Sequence, residues 1–133
     1  MQGDIVYCER ETKKWYVIDR KKELIKVRGF QVAPPELEGV LLSHPGIADV
    51  AVIGVVPVKN DSELPRAYVV RKPGAGDKLM EEDVKSWVAE RLAKYKWLDG
   101  GVRFIEAIPR NASGKILKRI LRERAAKEFG ARL

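Results

Sequence analysis

Residues 50–58, Val-Ala-Val-Ile-Gly-Val-Val-Pro-Val, form the longest apolar run in the chain and constrain its core more than any other segment. Side chains branched at Cβ crowd a helical turn but pack well on a pleated surface. Residues 47–58 therefore predict a buried strand ending near Pro57. The run is strand-sized, far below the ~20 apolar residues that span a bilayer as a helix. Asn60-Asp61-Ser62 predicts a turn after it, and residues 67–71 a second strand.

Helical spacing surrounds these strands. Pro34-Pro35 open a helix with Leu37, Val40 and Leu41 facing inward, and Glu36 and Glu38 near its positive end; Pro45-Gly46 stop it. From Glu81 onward, Val84, Trp87, Val88, Leu92 and Tyr95 fall on one helical stripe, with Glu81, Glu82 and Asp83 in the first turn. Gly100-Gly101 break the chain before a short strand at residues 102–105. A loop at residues 109–115 then leads into an amphipathic helix over residues 116–128, with Leu117, Ile120, Leu121 and Ala125 on its apolar side. Near the start, residues 5–8 and 15–18 read as a hairpin, and the polar residues 19–23 as a connector. The order hairpin, α, β, β, α, β, α predicts an α+β domain: a small β-sheet flanked by helices and preceded by a short β-hairpin.

A length of 133 residues suits one domain with a core of its own. Cys8 and His44 are the only cysteine and histidine, so neither an intrachain disulfide nor a Cys/His zinc site can form. A Cys8–His44 dyad is formally available, but Pro45-Gly46 place His44 at a helix-ending turn. No Gly-rich phosphate loop, metal-spaced carboxylate pair or serine nucleophile elbow is visible, so no metal site is expected and the domain is not expected to complete a reaction alone. The N-terminus lacks the basic-then-apolar pattern of a secretory signal.

The net charge of +7 favours anionic partners: nucleic acid, phosphates or a phosphate-rich cofactor. In residues 118–132 the basic side chains alternate with apolar ones and read as a solvated helix face. Two other basic, glycine-containing segments, residues 19–32 and 109–115, lie far apart in the chain and suggest two cationic working faces.

The run Asp19-Arg20-x-x-Glu23-Leu24-Ile25-Lys26-x-x-Gly29-Phe30-Gln31-Val32-x-Pro34-x-Glu36-Leu37-Glu38 resembles the hinge segment of the adenylate-forming superfamily. Further matches are His44-Pro45-Gly46-Ile47-x-Asp49-x-Ala51-Val52, Glu63-x-Pro65-x-Ala67 and Ser113-Gly114-Lys115. Gly29-Phe30-Gln31-Val32-Ala33-Pro34 is most similar to the 4-coumarate–CoA ligase, acyl-CoA synthetase and luciferase branch. The resemblance covers nearly the whole chain and implies the small C-terminal lid of such an enzyme. On that reading residues 1–21 are the end of the large domain, a hairpin and the hinge, residues 22–133 are the lid, and the large ATP- and acid-binding domain lies elsewhere.

The resemblance implies a ligase reaction in two steps. A carboxylic acid and ATP give an acyl-adenylate and pyrophosphate; the adenylate and CoA then give acyl-CoA and AMP. Lys115 matches the lysine that stabilises negative charge in the first step, with the neighbouring glycine allowing close backbone approach. Lys26 and Gln31 match residues that reach the active site in the second, after the lid has turned. Lys22 matches the hinge position, Arg28 and Gly29 match CoA contacts, and Asp4 and Arg20 match a pair that grips the ribose. Nucleotide contacts are thus implied at Asp4, Arg20, Lys22, Lys26, Gln31 and Lys115, and catalytic roles at Lys115 and Lys26. Gln2-Gly3-Asp4 departs from the family's usual Thr-Gly-Asp at its first residue. Gly29 also reads as a turn or bulge glycine, and Lys22 and Lys26 as strand-edge charges.

The expected cofactors are ATP/AMP, CoA and Mg2+, the last held mainly by the large domain. The expected partners are a carboxylic acid and the enzyme's own N-terminal domain, with no membrane span and no nucleic acid. A luciferase-like oxygenase lid and a free-standing basic module for nucleic acid or an acidic protein remain as alternatives. Ala131-Arg132-Leu133 resembles a peroxisomal C-terminal signal. Hydroxycinnamate, other aryl acids and fatty acids all stay open as substrates.

Overall fold

The computed structural model describes residues 24–56 and 63–130. The hairpin expected at residues 5–18, Asp4, Cys8, Arg20, Lys22, the Asn60-Asp61-Ser62 turn and the terminal Ala131-Arg132-Leu133 lie outside those residues.

β1 (Ile25–Val27) and β2 (Phe30–Val32) pair antiparallel as a tight hairpin. Helix α1 (Pro34–Leu42) follows, its first turn opened by proline, whose missing N–H costs nothing there. The main sheet comprises β3 (Ile47–Val55), β4 (Leu64–Arg71) and β5 (Val102–Phe104) in the order β3-β4-β5. β3 and β4 are antiparallel; β4 and β5 are parallel and joined through helix α2 (Glu81–Ala89). Helix α3 (Lys118–Gly130) closes the described chain.

Both faces of β3 are buried, which accounts for its unbroken apolar run. Val50 and Val52 pack with Leu37 and Leu41 of α1, Val84 and Val88 of α2, and Ile25 and Val27 of the hairpin. Ala51, Ile53 and Val55 face the other way, onto Leu121 and Ala125 of α3. Trp87 Nε1 donates to the Val40 carbonyl at 2.9 Å and ties α2 to α1. The expected α+β class, with helices flanking a small sheet, is what the chain adopts.

Several expected boundaries differ in the structure. β3 runs to Val55, and the expected end near Pro57 lies outside the described residues. β4 begins at Leu64 rather than at residue 67, and takes Pro65 into the strand opposite Gly54. Proline is tolerated because β5 pairs only with Ala67, Tyr68 and Val69, so Pro65 lies past the end of that neighbour. The stripe from Val84 to Tyr95 is not one helix. α2 ends at Ala89, and a 3₁₀ turn at Lys94–Lys96 carries Tyr95. Leu92 and Tyr95 still pack on the core, since burial asks only that the side chain arrive.

The last helix starts at Lys118, two residues later than expected. Ile116 instead bridges Arg110, and the Leu117 N–H is taken by the Pro109 carbonyl at 2.9 Å. Its apolar side is narrower than expected, because Ile120 is 40% exposed. Lys118 is not part of a solvated face either. Its ammonium donates to the Val52 carbonyl at 2.9 Å and lies 3.2 Å from Glu38.

Candidate functional site

The β1–β2 hairpin turns through two residues with positive φ, Arg28 at 51° and Gly29 at 88°. That is the two-residue primed turn whose twist matches antiparallel strands. A Cβ at Gly29 would meet nothing within 4 Å, so the turn calls for glycine by conformation and not by crowding. Ile25 and Val27 point into the core, leaving Lys26 and its cross-strand partner Gln31 on the outer face, both exposed. Two residues from the turn, this pair exchanges no backbone hydrogen bonds, which brings its side chains closer. It also turns the Lys26 N–H away from β2, where Glu63 Oε1 accepts it at 3.0 Å. At the hairpin tip Phe30 stacks on Tyr95, ring centroids 4.3 Å apart.

Lys115 ends a loop closed on itself. Arg110 bridges Ile116, the Asn111 N–H donates to the Lys115 carbonyl at 2.9 Å, and the Gly114 N–H donates to the Asn111 carbonyl at 2.9 Å. Asn111 Oδ1 accepts the Ser113 N–H, the Ser113 hydroxyl and the Lys115 N–H, at 3.0, 2.7 and 3.0 Å. Gly114 has φ of +90°, and a Cβ there would again meet nothing within 4 Å. The backbone there occupies the left-handed region, which glycine reaches without a Cβ penalty. The Lys115 side chain is exposed.

The two basic segments, distant in sequence, meet at one cleft. Leu24 and Ile25 of the first segment line it together with Lys115 of the second, and with Glu63, Lys118, Arg119 and Arg122. Lys26 itself, one residue beyond Ile25, faces outward on the hairpin. Lys115 lines this cleft and Lys26 does not; the two lysines are carried by different elements, the loop before α3 and the β1–β2 hairpin. Asp4, Arg20 and Lys22 lie outside the described residues.

Sequence reasoning missed the groups that brace these elements. Glu38, expected to act on the α1 dipole, instead accepts the Val52 N–H at 2.9 Å and neighbours Lys118. Arg110 grips both carboxylate oxygens of Asp49. At the far end of α3, Glu128 accepts from the buried Arg66 guanidinium and from the Tyr68 hydroxyl, the latter at 3.0 Å. Burial alone would raise the Glu128 pKa, but the hydrogen bonds from Arg66 and Tyr68 outweigh it and hold the carboxyl below its usual range. Burial pushes the Tyr68 hydroxyl up, against the pull of Arg66.

His44 Nδ1 accepts the Gly46 N–H at 2.8 Å, and its ring meets Trp87 edge-on at 4.5 Å. It serves the turn, as Pro45-Gly46 indicated. Among the described residues no group of three His, Cys, Asp or Glu side chains is placed to hold a metal ion, and no helix is long and apolar enough to cross a membrane.

A family model described as the AMP-binding enzyme C-terminal domain matches residues 36–115, ending on Lys115. The chain belongs to that family. It is 64% identical over 122 residues to the phenylacetyl-CoA ligase epaB of Aspergillus niger, covering 92% of this chain and 22% of that protein. It is 46% identical over 128 residues to the 4-coumarate–CoA ligase CCL1 of Humulus lupulus, covering 95% of this chain and 22% of the relative. Among solved structures, a Mycobacterium tuberculosis fatty acyl CoA synthetase superposes with a TM-score of 0.71 at 41% identity, over 84% of this chain and 22% of that one. The chain therefore spans about a fifth of the length of these AMP-binding relatives. The family expected from the hinge and Ser113-Gly114-Lys115 motifs is the family found.

Proposed function

We propose that this chain is the mobile C-terminal lid of an ATP-dependent carboxylic acid–CoA ligase, with residues 1–21 as the junction to a large domain and residues 22–133 as the lid. The observation that carries this reading is the 64% identity, over 92% of the chain, to a protein named as a phenylacetyl-CoA ligase. The charge pattern fits the ligands. ATP, the adenylate and CoA are all anionic, and the cleft is lined by Lys115, Lys118, Arg119 and Arg122 while Lys26 is exposed on the hairpin.

In the first step a carboxylate oxygen attacks the α-phosphorus of ATP, the bond to the β-phosphate bridging oxygen breaks, and pyrophosphate leaves. Lys115, an ammonium on a loop with few free torsions, stabilises the charge that builds on the phosphate and carboxylate oxygens. In the second step the CoA thiol loses its proton to solvent, the thiolate attacks the acyl carbon, and the bond from that carbon to the phosphate oxygen breaks as AMP leaves. The lid turns between steps so that the hairpin face with Lys26 and Gln31 replaces the Lys115 loop, while Arg28 and Gly29 meet CoA. Lys22 is the assigned hinge, and Asp4 and Arg20 the ribose contacts. Mg2+ would be held mainly by the large domain, where it would offset charge on the ATP phosphates.

The test separates the half-reactions in the full-length enzyme. Lys115→Ala should cripple ATP–pyrophosphate exchange and spare CoA transfer from preformed adenylate, and Lys26→Ala should do the reverse. Equal loss of one half-reaction in both variants would sink the two-surface reading.

A further inference from the structure

Asp49 sits where the β3–β4 register slips, between Ile47 and Asp49. Such an irregularity bends a strand and re-aims its side chains. Here it directs a carboxylate to the loop before α3. Arg110 Nη2 donates to the two Asp49 oxygens at 2.7 and 2.9 Å, and Nε lies 3.3 Å from the second. The remaining nitrogen, Nη1, donates to the Gly114 carbonyl at 2.8 Å.

That carbonyl belongs to the peptide group linking Gly114 to Lys115. The N–H of the same group is held by Asn111 Oδ1 at 3.0 Å. A peptide group is planar, so gripping its oxygen and its N–H from opposite sides fixes the plane from which Lys115 departs. Gly114, at φ +90°, is free of the Cβ that would otherwise select its conformation. The orientation of Lys115 is therefore set from outside, by a chain running from β3 through Asp49 and Arg110. Asp49 closes it by fixing the guanidinium plane with a two-oxygen grip.

We propose that Asp49 and Arg110 are positioning residues for Lys115 in acyl-adenylate formation. The proposal rests on the assignment of Lys115 to that step. Neither side chain touches the reacting atoms; both act through the Gly114–Lys115 peptide.

The experiment uses the full-length enzyme and whichever of phenylacetate, 4-coumarate and hexanoate the wild type activates best. ATP–pyrophosphate exchange, CoA transfer from the matching preformed adenylate and the thermal midpoint are measured for Asp49→Asn, Arg110→Lys, Lys115→Ala and the exchanged pair Asp49→Arg/Arg110→Asp. Small misplacements of a catalytic group can cost about 10²-fold, so the single variants should lose exchange by an order of magnitude or more while CoA transfer stays near wild type. The exchanged pair restores opposite charges but offers the Gly114 carbonyl no donor from position 110. Its exchange should stay low even where its thermal midpoint recovers. Recovery of exchange in that variant would overturn the proposal, as would a single-variant loss shared equally by both half-reactions. If the exchanged pair does not fold, the ratio of half-reactions in the single variants decides. If Lys115→Ala keeps exchange, the underlying assignment falls and the proposal with it. If Lys115→Ala loses exchange while Asp49→Asn and Arg110→Lys keep it, the positioning proposal alone falls.

Discussion

Glu38 and Lys118 stand 3.2 Å apart against the open edge of β3, and each satisfies one backbone group of Val52. The Glu38 carboxylate accepts the Val52 N–H, and the Lys118 ammonium donates to the Val52 carbonyl. Among the described residues β3 is an edge of its sheet, and Val52 turns both polar groups away from β4, toward α1 and the start of α3. Two opposite charges thus replace a neighbouring strand at the point where α1, β3 and α3 converge.

Removing either charge leaves the other largely buried and Val52 short of a partner. Lys118→Met, which keeps helix propensity, should cost about 3 kcal/mol, the scale of breaking a buried pair. Glu38→Leu should cost a similar amount. Chemical denaturation checks both, and a loss below about 0.5 kcal/mol would mean the pair behaves as an exposed one.

Acid stability should depend on Glu128. Its folded-state pKa lies below the ordinary 4.5, so the unfolded chain binds more protons once the pH approaches that value. The stabilisation is present above the unfolded pKa and disappears as pH falls through the lower, folded one. Thermal midpoints measured from pH 7 down to pH 3 should fall for the wild type and fall less steeply for Glu128→Gln. Equal slopes would contradict the depressed pKa.

Tyr68 governs the alkaline side. Its folded pKa lies above the ordinary 10.0, chiefly because burial penalises the phenolate. Its contribution is complete below the unfolded value and is lost as pH rises through the folded one. Tyr68→Phe should flatten the stability curve above pH 10, while losing the hydrogen bond to Glu128 at neutral pH, a cost of about 1 kcal/mol.

Gly29→Asn should be nearly silent, since asparagine enters the left-handed region readily, whereas Gly29→Val should cost about 1–2 kcal/mol. Thermal unfolding measures the difference. In the full enzyme the valine variant should also slow CoA transfer more than pyrophosphate exchange.

The 133-residue chain by itself should release no pyrophosphate from acid and ATP, because the acid pocket and most nucleotide contacts are assigned to the large domain. A sensitive pyrophosphate-release assay with phenylacetate, 4-coumarate and hexanoate tests this. Turnover dependent on Lys115 would refute it.

Local patterns made the core and the family legible from the sequence alone. The β-branched run of β3, the proline that opens α1, and the stripe of Val84 and Val88 are short-range signals, and they fall where the core requires them. The spaced motifs around Gly29-Phe30-Gln31 and Ser113-Gly114-Lys115 marked the family for the same reason: each is a contiguous run. Tertiary structure decided what a charged side chain does. Lys118 reads as one more solvated cation until β3, 66 positions earlier, offers it a carbonyl. Arg110 meets Asp49 across 61 positions and Arg66 meets Glu128 across 62, and nothing in the local pattern pairs them. The physical reason is that an apolar side chain declares its destination, because water rejects it wherever it sits. A charged one is equally compatible with water and with a well-placed partner. Only the packed fold chose between them, and in doing so it braced the loop that carries Lys115.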